Sequence, residues 1–187
     1  MVTISNGHTR QCKDSKSGIK KLYLLTYEKH PRRLIVVDGL KLVSFPFSEL
    51  FVYETANRLA FTETQKENEG GKYYEQKISL DFRGVLVQDN FETFASNYLR
   101  CIIEDNNGKL RLLGAYNGLE CNKVNYSTGS GRSDLNGFKL ELSGIESNPA
   151  FFIDSLQDVG FDILEDGFLL TEDGINVVTE NNILIKL

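Results

Sequence analysis

The sequence predicts a mainly β protein: an antiparallel β-sandwich or partly closed barrel with one packing helix and a short β-repeat carboxy-terminal extension. Three observations carry this expectation. Apolar and polar side chains alternate with period two in several runs, most cleanly in "KYYEQKISLDF" (Lys72 to Phe82). Glycine-containing turn signals, such as Asn107-Gly108, separate those runs. Only one stretch has helical spacing, and no strand-helix alternation repeats that would call for a parallel α/β sheet.

Taken in order, "IKKLYLLTY" (Ile19 to Tyr27) sets Leu22, Leu24 and Thr26 against Tyr23, Leu25 and Tyr27, a strand apolar on both faces. "EKHPRR" turns the chain, Pro31 discouraging a helix, and Leu34 to Val37 resumes an extended course. Pro46 in "DGLKLVSFPF" is unsuited to a central strand, and strands follow at Leu50 to Tyr53 and Leu59 to Thr64. "QKENEGG" (Gln65 to Gly71) reads as an exposed connection. In the next strand Tyr74, Gln76, Ile78 and Leu80 oppose Tyr73, Glu75, Lys77 and Ser79. The helix is expected from about Asp89 to Leu99: Asp89 is placed to cap, Glu92 completes a capping box, and Phe91, Phe94, Ala95 and Tyr98 share a side.

"RCIIEDNNGKLRLLGAYNGLEC" (Arg100 to Cys121) raises the question of a metal loop. Asp105 and Asn107 supply oxygen, but a calcium loop needs ligands at alternate positions and a closing bidentate glutamate, where this chain has Lys109 and Arg111. The stretch is therefore expected to be a hairpin. Strands Leu119 to Tyr126 and Phe138 to Ser143 follow, joined by the glycine-rich "STGSGRSDLNG". After Asp162, "ILEDG", "FLLTEDG", "INVVTENN" and "ILIKL" repeat an apolar run and an acidic turn, which fits either very short strands joined by tight turns or an appendage that orders only against a partner. The expected organisation is an amino-terminal arm over 1–18, a β-rich core over 19–154 and an acidic repeat extension over 155–187.

At 187 residues, 41% of them hydrophobic, the chain has material for one core. No apolar run reaches the roughly 18 to 20 residues of a membrane span, and the amino terminus is too polar for a secretory signal. Cys12, Cys101 and Cys121 form no CxxC pair, and Cys101 and Cys121 are expected to be small buried hydrophobes. Met1 to Ile145 holds 20 basic and 17 acidic side chains, net +3, whereas Glu146 onward holds 1 basic and 9 acidic, net −8. That excess positive charge is too small to point to tight DNA binding. The two histidines, His8 and His30, lie in polar segments without a nucleophile motif, and His30 beside Pro31 reads as a turn residue. Ser130 lacks the strand and helix of a nucleophile elbow, and Gly129 and Gly131 lack the Lys-Ser or Lys-Thr of a phosphate loop. The expectation is a protein that is not an enzyme, with no catalytic, cofactor or metal residues.

"CKDSKSGIKKLYLLTY" (Cys12 to Tyr27), "YYEQKISLDF" (Tyr73 to Phe82), "CIIEDNNGKLRLLGAYNGLE" (Cys101 to Glu120) and "SGRSDLNGFKLELSGIESNPAFF" (Ser130 to Phe152) occur in that order. Together they resemble virion structural proteins, of the tail or neck ring, from crAss-like or related tailed bacteriophages of Bacteroidetes hosts. The likeness spans about Cys12 to Asp154. It implies a β-rich protomer that oligomerises into a ring of the tail or head-to-tail connector, assembled in the host cytoplasm. Its partners would be copies of itself and neighbouring tail or neck proteins, with double-stranded DNA passing through without sequence-specific contacts. Interface candidates are Lys13, Lys16, Lys20 and Lys21 as a basic cluster, Gly70 and Gly71 as an adaptable turn, and Thr128, Gly129, Ser130, Gly131 and Arg132 as a reaching loop. Glu67 and Glu69 are candidates for the channel wall. The competing class is a β-sandwich binding a glycan or other ligand on a virion or cell surface.

Overall fold

The computed structural model describes residues 18–54, 60–83, 96–128 and 136–164. Its strands are β1 (Ile19–Thr26), β2 (Val36–Asp38), β3 (Lys41–Ser44), β4 (Ser48–Glu54), β5 (Ala60–Asn68), β6 (Gly71–Arg83), β7 (Leu99–Asp105), β8 (Leu110–Leu113), β9 (Glu120–Ser127), β10 (Gly137–Glu146), β11 (Phe151–Ile153) and β12 (Phe161–Leu164). A short helix, α1 (Leu156–Val159), precedes β12. An eight-stranded sheet runs β12-β4-β1-β7-β8-β11-β3-β2, and a four-stranded sheet runs β5-β6-β10-β9. The fold is thus mainly β, as expected, but the large sheet is mixed: β11 pairs with β3, and β12 with β4, in parallel.

The alternation within β1 explains how the layers form. Leu22 and Leu24 join Ile78, Leu80, Phe82, Leu140 and Leu142 of the small sheet in one core cluster. On the opposite face Tyr23 and Leu25 join Ile102, Leu112, Phe151 and Phe161 in a second. A strand with apolar residues on both sides must be covered on both sides, and this one is. No residue of β2, β3 or β11 belongs to the first cluster. Their buried side chains, Leu42, Phe151 and Ile153, face the second.

The Asn107-Gly108 hairpin forms as expected. β7 pairs with β8 from Cys101↔Leu113 to Glu104↔Leu110, and Gly108 takes φ 76°. Asp105 Oδ1 accepts the backbone N–H groups of Asn107 (2.8 Å) and Lys109 (2.9 Å), so this carboxylate closes the turn. Burial alone would raise its pKa, but those bonds outweigh it and the value is lowered.

Four local expectations change. Leu34 lies in a 3-10 turn, Arg32–Leu34, held by the Leu34 N–H on Pro31 O at 2.9 Å, and the strand begins only at Val36. Gln65 to Asn68 continue β5, in register with Tyr74 to Gly71, so the exposed connection shrinks to Glu69-Gly70. β5 is an edge strand, where polar residues and the Lys66–Glu75 ion pair (2.6 Å) suit solvent. The helix expected from about Asp89 to Leu99 lies outside the described residues over 89–95; Ser96 is helical, and Leu99 opens β7. The boundary expected after Asp154 falls ahead of Leu156, Val159 and Phe161, all buried in the second cluster, so the core continues to Leu164. Ser155 caps α1 and Gly160, at φ 111°, ends it.

Candidate functional site

The expected interface residues that are described do not converge. Lys20 and Lys21 lie on β1, a central strand between β4 and β7, and Lys20 Nζ is paired with Glu104 Oε1 at 3.0 Å. Gly70 lies in the β5–β6 turn, where its N–H donates to Asn68 Oδ1 at 2.9 Å, and Gly71 opens β6. Thr128 follows β9, whose Ser127 pairs with Gly137, itself paired with Arg83 at the far end of β6. Gly71 and Thr128 therefore sit at opposite ends of the small sheet, about 40 Å apart at the usual rise per residue. Glu67 and Glu69 are exposed beside the Gly70 end. Lys13, Lys16, Gly129, Ser130, Gly131 and Arg132 lie outside the described residues, as do Cys12 and His8. Cys101 is fully buried in the first cluster and Cys121 packs against it, both as free thiols.

Two features escaped the sequence. The first is an apolar surface at one margin of the large sheet. Five of the eight large hydrophobic side chains exposed among the described residues fall between Leu34 and Phe47: Leu34, Val36, Leu40, Val43 and Phe47, the last 71% exposed. Val36 and Val43 alternate with the inward Val37 and Leu42, so they stand on the face that the four-stranded sheet leaves uncovered. β2 is the outermost strand, and its second edge is unpaired among the described residues. The 20 residues from Glu28 to Phe47 carry four basic and two acidic side chains, net +2.

The second feature is a cleft of about 310 Å3 lined by Thr26, Glu28, His30, Phe47, Glu49 and Arg100, among others. Alternation along β7 places Arg100 opposite Leu99 and Cys101, on the side of the second core. The Tyr27 and Phe45 rings lie 4.4 and 5.1 Å from its guanidinium carbon. Its Nη2 donates to Glu28 O at 2.6 Å and its Nε to Ala115 O at 3.2 Å, while Nη1 is buried without a partner. Burial pulls the Arg100 pKa down. His30 packs edge-on to Phe45, and burial, with the nearby Arg100 charge, lowers its pKa as well. Both causes favour the neutral imidazole. The Ser48 hydroxyl at the rim donates to Pro46 O at 3.0 Å. A neutral imidazole, two carboxylates and a fixed guanidinium can hold a small polar ligand.

The chain matches no family model, no curated protein and no solved structure.

Glu146 connects this region to β10. Its Oε1 accepts from the Tyr116 and Asn117 N–H groups at 3.0 and 2.8 Å, and its Oε2 is buried without a partner. Burial raises its pKa, against the opposing pull of those bonds and of the Arg100 charge. The folded chain thus keeps this proton to higher pH than the unfolded chain does. The stability contributed by that proton is present at acid pH and is lost as pH rises from the ordinary carboxyl range through the raised value. Glu146→Gln retains an acceptor for both N–H groups and removes the titration. Urea midpoints measured from about pH 4 to 8 should lose that descending limb in the variant. An unchanged limb would assign it to another group.

Proposed function

We propose that the protein is a non-enzymatic structural subunit that assembles with copies of itself into a ring of a bacteriophage tail or head-to-tail connector. The observation that carries this reading is the uncovered apolar margin at β2 and β3, where exposed Val36 and Val43 adjoin a strand edge unpaired among the described residues. Single exposed hydrophobes are ordinary; a concentration beside an open edge marks an association surface. The two margins of the large sheet, β2 and β12, differ in sequence and direction of pairing. A contact joining one to the other is heterologous, and such contacts build rings where the rotation between neighbours closes and filaments where it does not. The ordered likeness of four sequence segments to phage virion proteins supplies the biological setting, and the sandwich-like opposition of the two sheets across the first core suits a wall segment.

Native mass spectrometry and particle imaging of the full chain test this reading. The expected result is a closed oligomer of defined subunit number, with Val36→Glu weakening association about a hundredfold, the scale of a lost buried anchor. A monomer at every accessible concentration would overturn it. The Arg100 cleft favours a second reading, a ligand-binding module. Saturable binding of a small polar compound or sugar by a permanent monomer would promote that one.

A further inference from the structure

We propose that the solvent face of the four-stranded sheet carries a binding site for a neutral sugar. The site is a cleft of about 360 Å3 lined from all four strands, with Thr62, Lys77, Ser79, Asn122, Glu141 and Ser143 supplying its polar groups. It shares no residue with the β2–β3 margin or the Arg100 cleft. A ring subunit can carry it as well as a monomer, so the inference does not depend on the assembly reading. Ile78, Leu80, Leu140 and Leu142 enter the first core, and alternation therefore sets Lys77, Ser79, Glu141 and Ser143 on the opposite face. Cross-strand pairing places Thr62, Lys77 and Ser143 in one row and Ala60, Ser79 and Glu141 in the next. Four of these six side chains are short, which opens a hollow beside the two long ones.

β9 departs from regular pairing at this place. Glu141 pairs with Lys123 and Leu142 with Cys121, so Asn122 is the extra residue of a bulge, a device that re-aims a side chain. Its Nδ2 donates to Ser143 Oγ at 2.5 Å, which fixes the amide at the cleft and leaves the Ser143 O–H free to donate to a ligand. The Thr62 and Ser79 hydroxyls form no hydrogen bond among the described residues. Lys77 Nζ bonds Glu75 Oε1 at 2.8 Å and keeps further donors, while Glu141 lies 3.9 Å from Lys139 Nζ, beyond hydrogen-bond length. The Lys77 and Glu141 charges cancel across the lining, so neither an anion nor a cation is favoured. Sugar hydroxyls donate and accept at once and can satisfy both kinds of group. The volume stands near the low end of the roughly 300 to 1,000 Å3 of small-molecule sites, enough for about one or two sugar rings. The lining residues include no aromatic ring, so hydrogen bonds carry the affinity and Kd is about 1 mM or weaker.

Saturation-transfer difference NMR on the full-length chain tests the site at any oligomeric state. The probes are glucose, galactose and N-acetylglucosamine, with glucuronate and glucosamine as charged counterparts. The expected result is saturable transfer to a neutral probe and weaker transfer to the charged ones. Asn122→Ala should weaken binding about three- to tenfold, the scale of a lost hydrogen bond. Ser79→Tyr, which fills the hollow with a ring, should abolish transfer. Both positions face solvent, and far-UV circular dichroism matching the parent keeps a folding defect from imitating the loss; if Ser79→Tyr does not fold, Asn122→Ala decides. Transfer undiminished in the folded variants would put the sugar elsewhere and overturn the inference, as would transfer to the charged probes alone or to no probe. A closed ring that binds none of the sugars would overturn this inference and leave the assembly reading standing. A permanent monomer that loses sugar binding in these variants would do the reverse.

Discussion

Arg100→Met should lower the unfolding free energy by about 3 to 5 kcal/mol, the usual cost of removing one member of a buried charged arrangement. The guanidinium is 1% exposed and lies between the Tyr27 and Phe45 rings. It satisfies the carbonyls of Glu28 and Ala115, 72 and 15 residues away in sequence. Methionine fills comparable space and restores neither bond. It also leaves Glu146 without the positive charge that opposes its loss of solvent. The readout is the urea midpoint, expected to fall by about 1.5 to 2.5 M for a slope near 2 kcal/mol/M. Arg100→Lys should recover only part of the loss, because an ammonium cannot hold two divergent carbonyls while stacking on the rings. A methionine variant as stable as the parent would show that the guanidinium is not a structural centre. The cleft would then be the better explanation for burying it.

The second large effect is expected at glycines, where two separate costs can be compared within one protein. A Cβ on Gly71, at φ 110°, meets nothing within 4 Å, so Gly71→Ala isolates backbone strain of about 1 to 2 kcal/mol. Gly144 has no positive φ, but a Cβ there would stand 2.5 Å from Gly118 O and 2.9 Å from a Leu119 methyl carbon. Gly144→Ala therefore isolates overpacking, about 2 to 3 kcal/mol. Gly160 combines both, with φ 111° and a Cβ 2.6 Å from Phe45 O. That site also carries the Gly160 O acceptor for the Ser48 N–H at 3.2 Å, one of the links between β12 and the β3–β4 connection. Gly160→Ala is expected to be the most damaging, near the sum of the other two at about 3 to 5 kcal/mol, since the three sites share no partner except through the folded whole. Chemical denaturation of the three variants checks the order. If Gly160→Ala were the mildest, the backbone approach at Phe45 would be too yielding to define where β12 enters the sheet.

Much of the architecture follows from periodicity alone. Alternation along β1 separated Leu22 and Leu24 from Tyr23 and Leu25, and the two pairs do enter different cores, because side chains on a strand have no other way to diverge. The Asn107-Gly108 hairpin was equally legible, since its turn chemistry is local: Asp105 reaches only two and four residues ahead. Local signals fail wherever the deciding partner is distant in sequence. Arg100 shares a strand face with Ile102 and Glu104, and nothing near it in sequence marks it for burial. Its burial was decided by Tyr27, Phe45 and two carbonyls that only the assembled sheet brings around it. The polar run Gln65 to Asn68 looked like a loop because an edge strand needs no apolar face, and cross-strand pairing with β6 made it a strand. Ile163 and Leu164 read as the first of the acidic repeats, yet parallel pairing with β4 draws them into the core sheet. The apolar margin is the clearest case. Val36 and Val43 are ordinary strand residues in the sequence, and they are exposed only because a four-stranded sheet covers part of an eight-stranded one. The sequence by itself determined which residues could be buried and with what period. Which of them are covered, and which remain for a partner, depended on how far each sheet extends, a property of the whole chain's pairing that no single segment encodes.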